Sequence, residues 1–526
     1  MKKLLISILF LVPFLNVIAQ GNNNYSKNSL IIKFKNQIEL DKDLNSNNFG
    51  IKAIDHLNNK YRTIKIKKLG NQEVSRLFLF EFEQKQDVMS LIHEYEKLEF
   101  IEFAEPNYIG KGGGQLFSKN KDNISDLSTP NDFFWERQWS LHNDGTFNSD
   151  SVEDADVDMD LAWEIDTGNS EIIVAVLDSG LKLNHPEFEG RLFENELGFN
   201  GYDFVNDDND PSDDHGHGTN VTGIIGAGSN NNIGYAGVDW NCKIMPLKIL
   251  DENNSGWYSW WIEAIYYAVD EGANIINMSV GGSGYSKAME EAVNYAFNNN
   301  VSVFACMMNE NSQTTYYPAG YENSFAVGST DPNDNRSSPF FWSTFSGSSY
   351  GSHIDVVAPG NFIYGLSYNS DNNYNTYWGG TSQASPLVAG VASLLLSQEP
   401  ARTPNEIYQI IRETAEDQVG NESEDTMGYD IYYGFGRVNA FNALSFNLSI
   451  DENSIDDLLF YPNPTSDNIY NTKNLSIDYI IYNSVGNKIK SGNNSIKIDF
   501  SSFSRGVYFV EYQYEDKSSV IKIIKN

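Results

Sequence analysis

The chain is short of cysteine, of positive charge and of long apolar runs. Only Cys242 and Cys306 occur in 526 residues, so no disulfide framework holds the fold. Two buried free thiols are the expectation. Lys and Arg number 36 against 71 Asp and Glu, a net charge of -35. Such a chain is repelled by nucleic acid and by anionic membranes, which are bound through basic patches. Carboxylates clustered in its loops would instead suit calcium. The apolar run in "MKKLLISILFLVPFLNVIAQ" is about 15 residues, shorter than a membrane span. With two lysines ahead and Val17-Ile18-Ala19 behind, residues 1–20 read as a secretory signal peptide cut after Ala19 or Gln20. No later stretch reads as a span.

What is present is globular, with 40% hydrophobic and 13% aromatic residues and length for about three domains. Residues 28–110 mix strand-like and helix-like patterns ("SLIIKFK", "LFLFEFE", "DVMSLIHEYEKL", "FIEFAEPNYI"), which predicts a small α+β domain. A Gly-, Ser- and Asn-rich linker follows over 111–130. Over 131–446, apolar runs of strand length ("IIVAVLD", "KIMPLKIL", "NIINMSV", "VSVFACM") alternate with helical patterns such as "WIEAIYYAVDEG". Continuous apolar strands separated by helices predict an α/β fold with a parallel sheet covered on both faces. In such sheets the site lies at the carboxyl ends of the strands. Residues 456–526 carry short alternating strands and Asn-Pro, Val-Gly and Arg-Gly turns, a small all-β sandwich.

The stretch "WGGTSQASPLVAGVASLLL" places Gly379, Gly380 and Ser382 directly ahead of an apolar run. One reading makes Thr381 or Ser382 a helix N-cap with Pro386 in the first turn. The other makes Ser382 a nucleophile at a helix start, where backbone N–H groups hold an oxyanion. A nucleophilic serine needs a base and an orienting carboxylate. No histidine follows Ser382, the last being His353, and "GTSQA" lacks the second glycine of G-x-S-x-G, which excludes an α/β-hydrolase. The remaining order is Asp, His, Ser. Asp178 ends an apolar strand, and His217 opens a helix in "DDHGHGT", with His215 a competing base.

Together, Asp178-Ser179-Gly180, His217-Gly218-Thr219 and Gly380-Thr381-Ser382-Gln383-Ala384-Ser385-Pro386 resemble the subtilisin-like serine proteases, the subtilases. That resemblance spans about 310 residues. It implies a subtilisin-like sheet and a serine endopeptidase in which Ser382 attacks, His217 moves the proton and Asp178 orients the imidazole. Asn309 would supply the oxyanion hole, and Ser255-Gly256 with Ser279-Val280-Gly281 would flank an extended substrate. The chain departs from the family at Met308, where glycine is usual, at Gln383 and at Asn220. Met308, with Tyr316 nearby, would crowd the primary pocket and favour small or medium apolar side chains.

Other features extend the resemblance. "STPNDFFWERQW" looks like the mature start of thermitase-like subtilases, where Asp132 would join a calcium site. Glu187 and Asn231 would complete it with the carbonyls of Ser229, Ile233 and Tyr235. Asp203, Asp208 and Asp210 lie near a second calcium site of some relatives, or form a solvated acidic loop. Residues 28–110 resemble a subtilase propeptide, which chaperones folding, blocks the cleft and is cut in the linker; an independent binding domain is the alternative. Tyr461-Pro462-Asn463-Pro464, Val485-Gly486, Gly506-Val507-Tyr508-Phe509 and Lys522-Ile523-Ile524-Lys525 resemble the C-terminal sorting domain of the type IX secretion system, with an adhesion module as rival. These resemblances imply a zymogen exported through the periplasm of a Gram-negative bacterium and released or held at the surface. Its partners would be polypeptide substrates, its own propeptide and the secretion machinery, with no organic cofactor. The competing function is a catalytically dead subtilase that binds surfaces, against which stand the complete triad and oxyanion residues.

Overall fold

The computed structural model describes residues 24–35, 51–70, 75–118, 130–446, 460–461, 463, 465–471, 476–483, 488–514 and 517–525. The leader, residues 119–129 of the linker, and Pro462, Pro464, Val485 and Gly486 of the tail lie outside the described residues. Among those described, no helix is long and apolar enough to cross a membrane.

The apolar runs of the central region form a seven-stranded sheet. Its order is Val356–Pro359, Phe325–Thr330, Ser302–Cys306, Ile275–Met278, Ile173–Asp178, Lys243–Lys248 and Tyr202–Asp203, every pair parallel. Alternate side chains serve two cores. Val174 and Val176 face the layer holding helices His217–Gly226 and Thr381–Gln398, while Ala175 and Leu177 face helices Tyr258–Asp270 and Lys287–Asn298. Burial on both faces explains why these strands read as unbroken apolar runs. After Ile173–Asp178 the chain builds outward on one side, then returns to add Ile275–Met278 on the other. The order reverses there, so the crevice opens at the ends carrying Asp178 and Ser279.

The N-terminal unit has strands Tyr25–Phe34, Thr63–Leu69, Leu77–Phe82 and Ile101–Gly112, with helices Lys52–Tyr61 and Val88–Glu96. Ile32, Phe80, Leu91 and Tyr95 pack between sheet and helices. The opposite face offers Ile31, Leu79 and Phe103 to Trp261 and Met289 of the central domain. The sheet does not stop at the domain boundary. Ile101–Gly112 pairs antiparallel with Ser255–Trp257 and with Val280–Gly281. Gln115–Ser118, four residues read as linker, then pairs antiparallel with Thr376–Gly379.

In the tail, strands Phe460–Tyr461, Asn468–Asn471 and Lys497–Asp499 form one antiparallel sheet, and Lys488–Ser495, Ile477–Asn483, Gly506–Tyr514 and Lys517–Lys525 another. Phe460, Ile469, Ile481, Ile498, Val510 and Ile523 share the core between them. Arg505 reaches back to Asp154 of the central domain with bonds of 2.7 and 2.9 Å.

Candidate active site

Asp178 is the last residue of its strand and is fully buried. Its Oδ1 accepts a 2.7 Å bond from His217 Nδ1 and another of 2.7 Å from the Ser179 N–H. His217 opens its helix behind Gly216, whose φ of 105° only glycine adopts readily. Asp213 holds that turn: its Oδ1 accepts the N–H groups of His215 and Gly216, and its Oδ2 the N–H and hydroxyl of Thr219. His215 sits in the cleft but makes no bond to Asp178 among the described residues. Asp213 escaped the sequence reading, although it lies two positions before His215 in the same motif.

Ser382 lies in the first turn of Thr381–Gln398, and the N-cap is Gly380 rather than Thr381 or Ser382. Its Oγ donates to the Ser279 carbonyl at 3.1 Å and stands 3.8 Å from Cys306 Sγ. Both cysteines are buried and free. Asn309 follows the strand Ser302–Cys306 and accepts, through Oδ1, the Thr381 N–H at 2.8 Å and the Thr381 hydroxyl at 3.1 Å. Its amide nitrogen is thereby turned toward the cleft beside Gly113 and Gly380. His217, Ser382 and Asn309, dispersed through the sequence, thus border one point, with Asp178 behind the imidazole; His217 Nε2 and the Ser382 hydroxyl are bonded to Gly113 and Ser279 and not to each other.

That point is occupied by the chain itself. Lys111 lies opposite Ser255 and Gly281, Gly112 opposite Val280, and the Gly113 N–H donates to the Ser279 carbonyl at 3.3 Å. The Gly113 carbonyl oxygen contacts His217 Nε2. Both ring nitrogens therefore face acceptors, a carboxylate and a carbonyl, which only the doubly protonated imidazolium satisfies. Burial alone would lower the His217 pKa, but the Asp178 charge and hydrogen bond, with the Gly113 carbonyl, raise it above the ordinary 6.5. Beside the segment runs an open cleft of about 670 Å³ whose walls include Met308, Asn309, Trp342 and Trp378. Asn254, Cys306 and Trp378 join the site without having been singled out; their signals are pairing and packing, which no local motif carries.

Asp132 and Glu187 are both buried, with Asn231 Nδ2 donating to Glu187 at 2.9 Å. Burial raises the Asp132 pKa to about 6 and that of Glu187 to about 7. The Asn230 N–H meets Asp132 Oδ2 at 2.7 Å, while Asp132 Oδ1 has no partner. Glu187 also accepts the Tyr235 N–H and Asn231 Oδ1 the Ile233 N–H, so it is the unpaired Asp132 Oδ1, beside a second buried carboxylate, that suits a hard cation. The carbonyls of Ser229, Ile233 and Tyr235 belong to the adjoining loop. Asp203, Asp208 and Asp210 are differently engaged. Asp203 accepts from Val205 and Asn206, Asp208 from the Asp210 N–H, and Asp210 from the Ser212 hydroxyl. Their oxygens serve the loop's own donors, and among the described residues no group of three or more acidic, His or Cys side chains forms a metal-holding cluster.

A model of the subtilase family matches residues 169–436, and one of a secretion system C-terminal sorting domain matches residues 459–526. A thermophilic serine proteinase of Bacillus sp. (strain AK1) is 34% identical over 434 residues, covering 82% of this chain and 90% of that protein. Thermitase of Thermoactinomyces vulgaris is 37% identical over 306 residues, covering 58% of this chain and 99% of that protein.

Proposed function

The chain belongs to the subtilase family and is a serine-type endopeptidase, and we propose that its chemistry runs through Asp178, His217, Ser382 and Asn309. The observation that carries this reading is an extended strand whose Gly113 lies against His217, Ser382 and Asn309, while Asp178 holds the other nitrogen of the imidazole. Ser382 Oγ attacks the substrate carbonyl, and His217 Nε2 takes the hydroxyl proton and later delivers it to the leaving amine. Asp178 holds Nδ1 protonated and stabilises the imidazolium. The Asn309 amide and the Ser382 N–H receive the oxyanion as charge develops there. Substrate binds as an added strand between Ser255-Gly256 and Ser279-Val280-Gly281, so main-chain bonds supply most of the affinity.

Residues 28–110 act as an inhibitory propeptide. While the Gly113 carbonyl accepts from His217 Nε2, that nitrogen keeps its proton, so the segment must shift off the imidazole before His217 can serve as base in its own cleavage. Autoprocessing in the 111–130 linker lifts that block. Calcium held by Asp132, Glu187 and Asn231 would supply structural charge neutralisation, and the oxygens of Ser229, Ile233 and Tyr235 would complete its shell. The second acidic loop is left out, its carboxylates being paired internally. The tail directs the enzyme to a type IX secretion system, hence to the medium or the cell surface through a Gram-negative periplasm.

The test compares the precursor with its Ser382→Ala variant. Wild type should mature, hydrolyse casein and be labelled by a phosphonyl reagent. The variant should remain full length and lose at least about 10⁴-fold in kcat. Identical processing and inertness of both would leave a catalytically dead fold as the answer.

A further inference from the structure

The catalytic reading leaves Lys248 without a task, although it is an ammonium buried at the end of a central strand. It closes the strand Lys243–Lys248, is 1% exposed, and lies opposite Asp178 in the parallel pairing. An ammonium is costly to bury unless each of its three N–H donors finds an acceptor. Here all three do: the Ser179 carbonyl at 2.8 Å, the Leu250 carbonyl at 3.0 Å and the Asp214 carboxylate at 2.6 Å. Ser179 directly follows Asp178, and Asp214 lies three positions before His217. We propose that Lys248 is a positioning residue, which fixes the Asp178 carboxylate in the orientation that supports the His217 imidazole. The inference rests on the catalytic reading of that pair.

Asp178 is oriented from one side only. Its Oδ1 accepts the Ser179 N–H and His217 Nδ1, both at 2.7 Å, while Oδ2 is buried with no partner. The carboxylate therefore keeps its rotation only while the Ser179 N–H stays aimed at Oδ1. The two peptides that flank Ser179 are each held by the segment that Lys248 begins. The first is held at the Asp178 carbonyl, which accepts the N–H groups of Ile249 and Leu250 at 2.7 and 3.2 Å. The second is held at the Ser179 carbonyl by the ammonium itself. The Ser179 hydroxyl, bonded to Asp213 and to the Gly218 N–H, can turn about χ1 without moving the main chain. The carbonyl cannot, so the Lys248 bond is the one that immobilises the backbone there. Through Asp214 the same ammonium reaches the turn that Asp213 organises ahead of His217. Lys248 thus holds the segments of both partners in the Asp178–His217 bond.

The test is a double-mutant cycle on one peptide substrate, using Lys248→Met, Asp178→Asn and the pair. Each variant is matured by tagged wild-type enzyme, which is then removed. Lys248→Met, which keeps the side-chain length and loses the charge, should lower kcat by about 10–100-fold with KM within about twofold. In the Asp178→Asn background the same change should cost less than about threefold, because the carboxylate it orients is gone. Asp214→Asn removes one acceptor at a half-exposed position and should lower kcat by about 3–10-fold, again only where Asp178 is present. That variant decides the matter if Lys248→Met does not fold. Equal losses in both backgrounds, a loss carried by KM, or no loss at all would overturn the role of Lys248. An Asp178→Asn enzyme with undiminished kcat would overturn the catalytic reading instead, so the two failures are told apart.

Discussion

At the scale of single residues, charge placement dominates. Asn309 spends its Oδ1 on Thr381, so the side chain has one orientation and its amide nitrogen points into the cleft. Asn309→Ala should lower kcat by about 10²–10³ with little change in KM, because the bond it makes forms only in the transition state. Steady-state kinetics on one peptide checks this; a KM effect alone would assign Asn309 to ground-state binding. His217 gives the pH dependence. Burial lowers its pKa, but Asp178 and, while the segment is bound, the Gly113 carbonyl raise it above 6.5; the neutral form is the base, so kcat/KM should rise with pH on a limb set by His217. Asp178→Asn removes the raising charge while burial still favours the neutral ring. The acid limb should then move to lower pH and the rate fall by about 10⁴-fold. An unmoved limb would mean that another group titrates there.

At the scale of elements, one carboxylate joins two domains. Glu105, on the strand that enters the cleft, accepts the Ser286 hydroxyl at 2.6 Å and the N–H groups of Lys287 and Ala288 at 3.0 and 3.2 Å. It thereby caps the helix Lys287–Asn298 in trans, against the positive end of its dipole. Burial raises its pKa to about 7, and these three bonds offset only part of that rise. The docked value exceeds the ordinary 4.5, so docking takes up a proton between the two. Association of the N-terminal unit should be tighter at the acid end of that window and weaken as pH climbs toward 7. Glu105→Gln should flatten the dependence. Size-exclusion of cleaved but still associated enzyme across pH 5–8 reads it, and equal slopes for both forms would acquit Glu105. The same element scale explains what a serine at a helix start achieves. Gly380 leaves the N-terminus uncovered, and Pro386 lies inside the helix and not in its first turn as expected; the Ser382 carbonyl that its missing N–H leaves unpaired accepts the Ser279 hydroxyl at 2.8 Å.

At the scale of the whole molecule, two smaller units attach to the central domain. The N-terminal unit buries Ile31, Leu79 and Phe103 against the helices of that domain, and the tail's Arg505 forms a fork with Asp154. A net charge of -35 makes any cation that neutralises buried carboxylates valuable. Burial, with the Asp132 charge adding to it, raises the Glu187 pKa to about 7. Calcium should therefore stabilise the fold, and a chelator should lower the melting temperature of the Ser382→Ala precursor by roughly 5–10 °C, reversed by calcium. A melt that does not move under chelation would remove calcium from the account.

The sequence by itself determined the α/β layering, because a strand buried on both faces must be apolar throughout and "IIVAVLD" can be little else. It also determined the order of Asp178, His217 and Ser382, each placed in a local motif with its own turn. Tertiary structure alone decided which atoms meet. Whether Asn309 turns its nitrogen inward depends on Thr381, far along the chain, and whether His217 keeps a second proton depends on Gly113. The glycines of "GKGGGQ" read as a flexible linker because glycine's freedom is all that sequence displays. In the fold each has a close neighbour where a side chain would stand, and strand pairing across domains, a long-range contact without a local signature, turns that linker into the segment lying in the cleft.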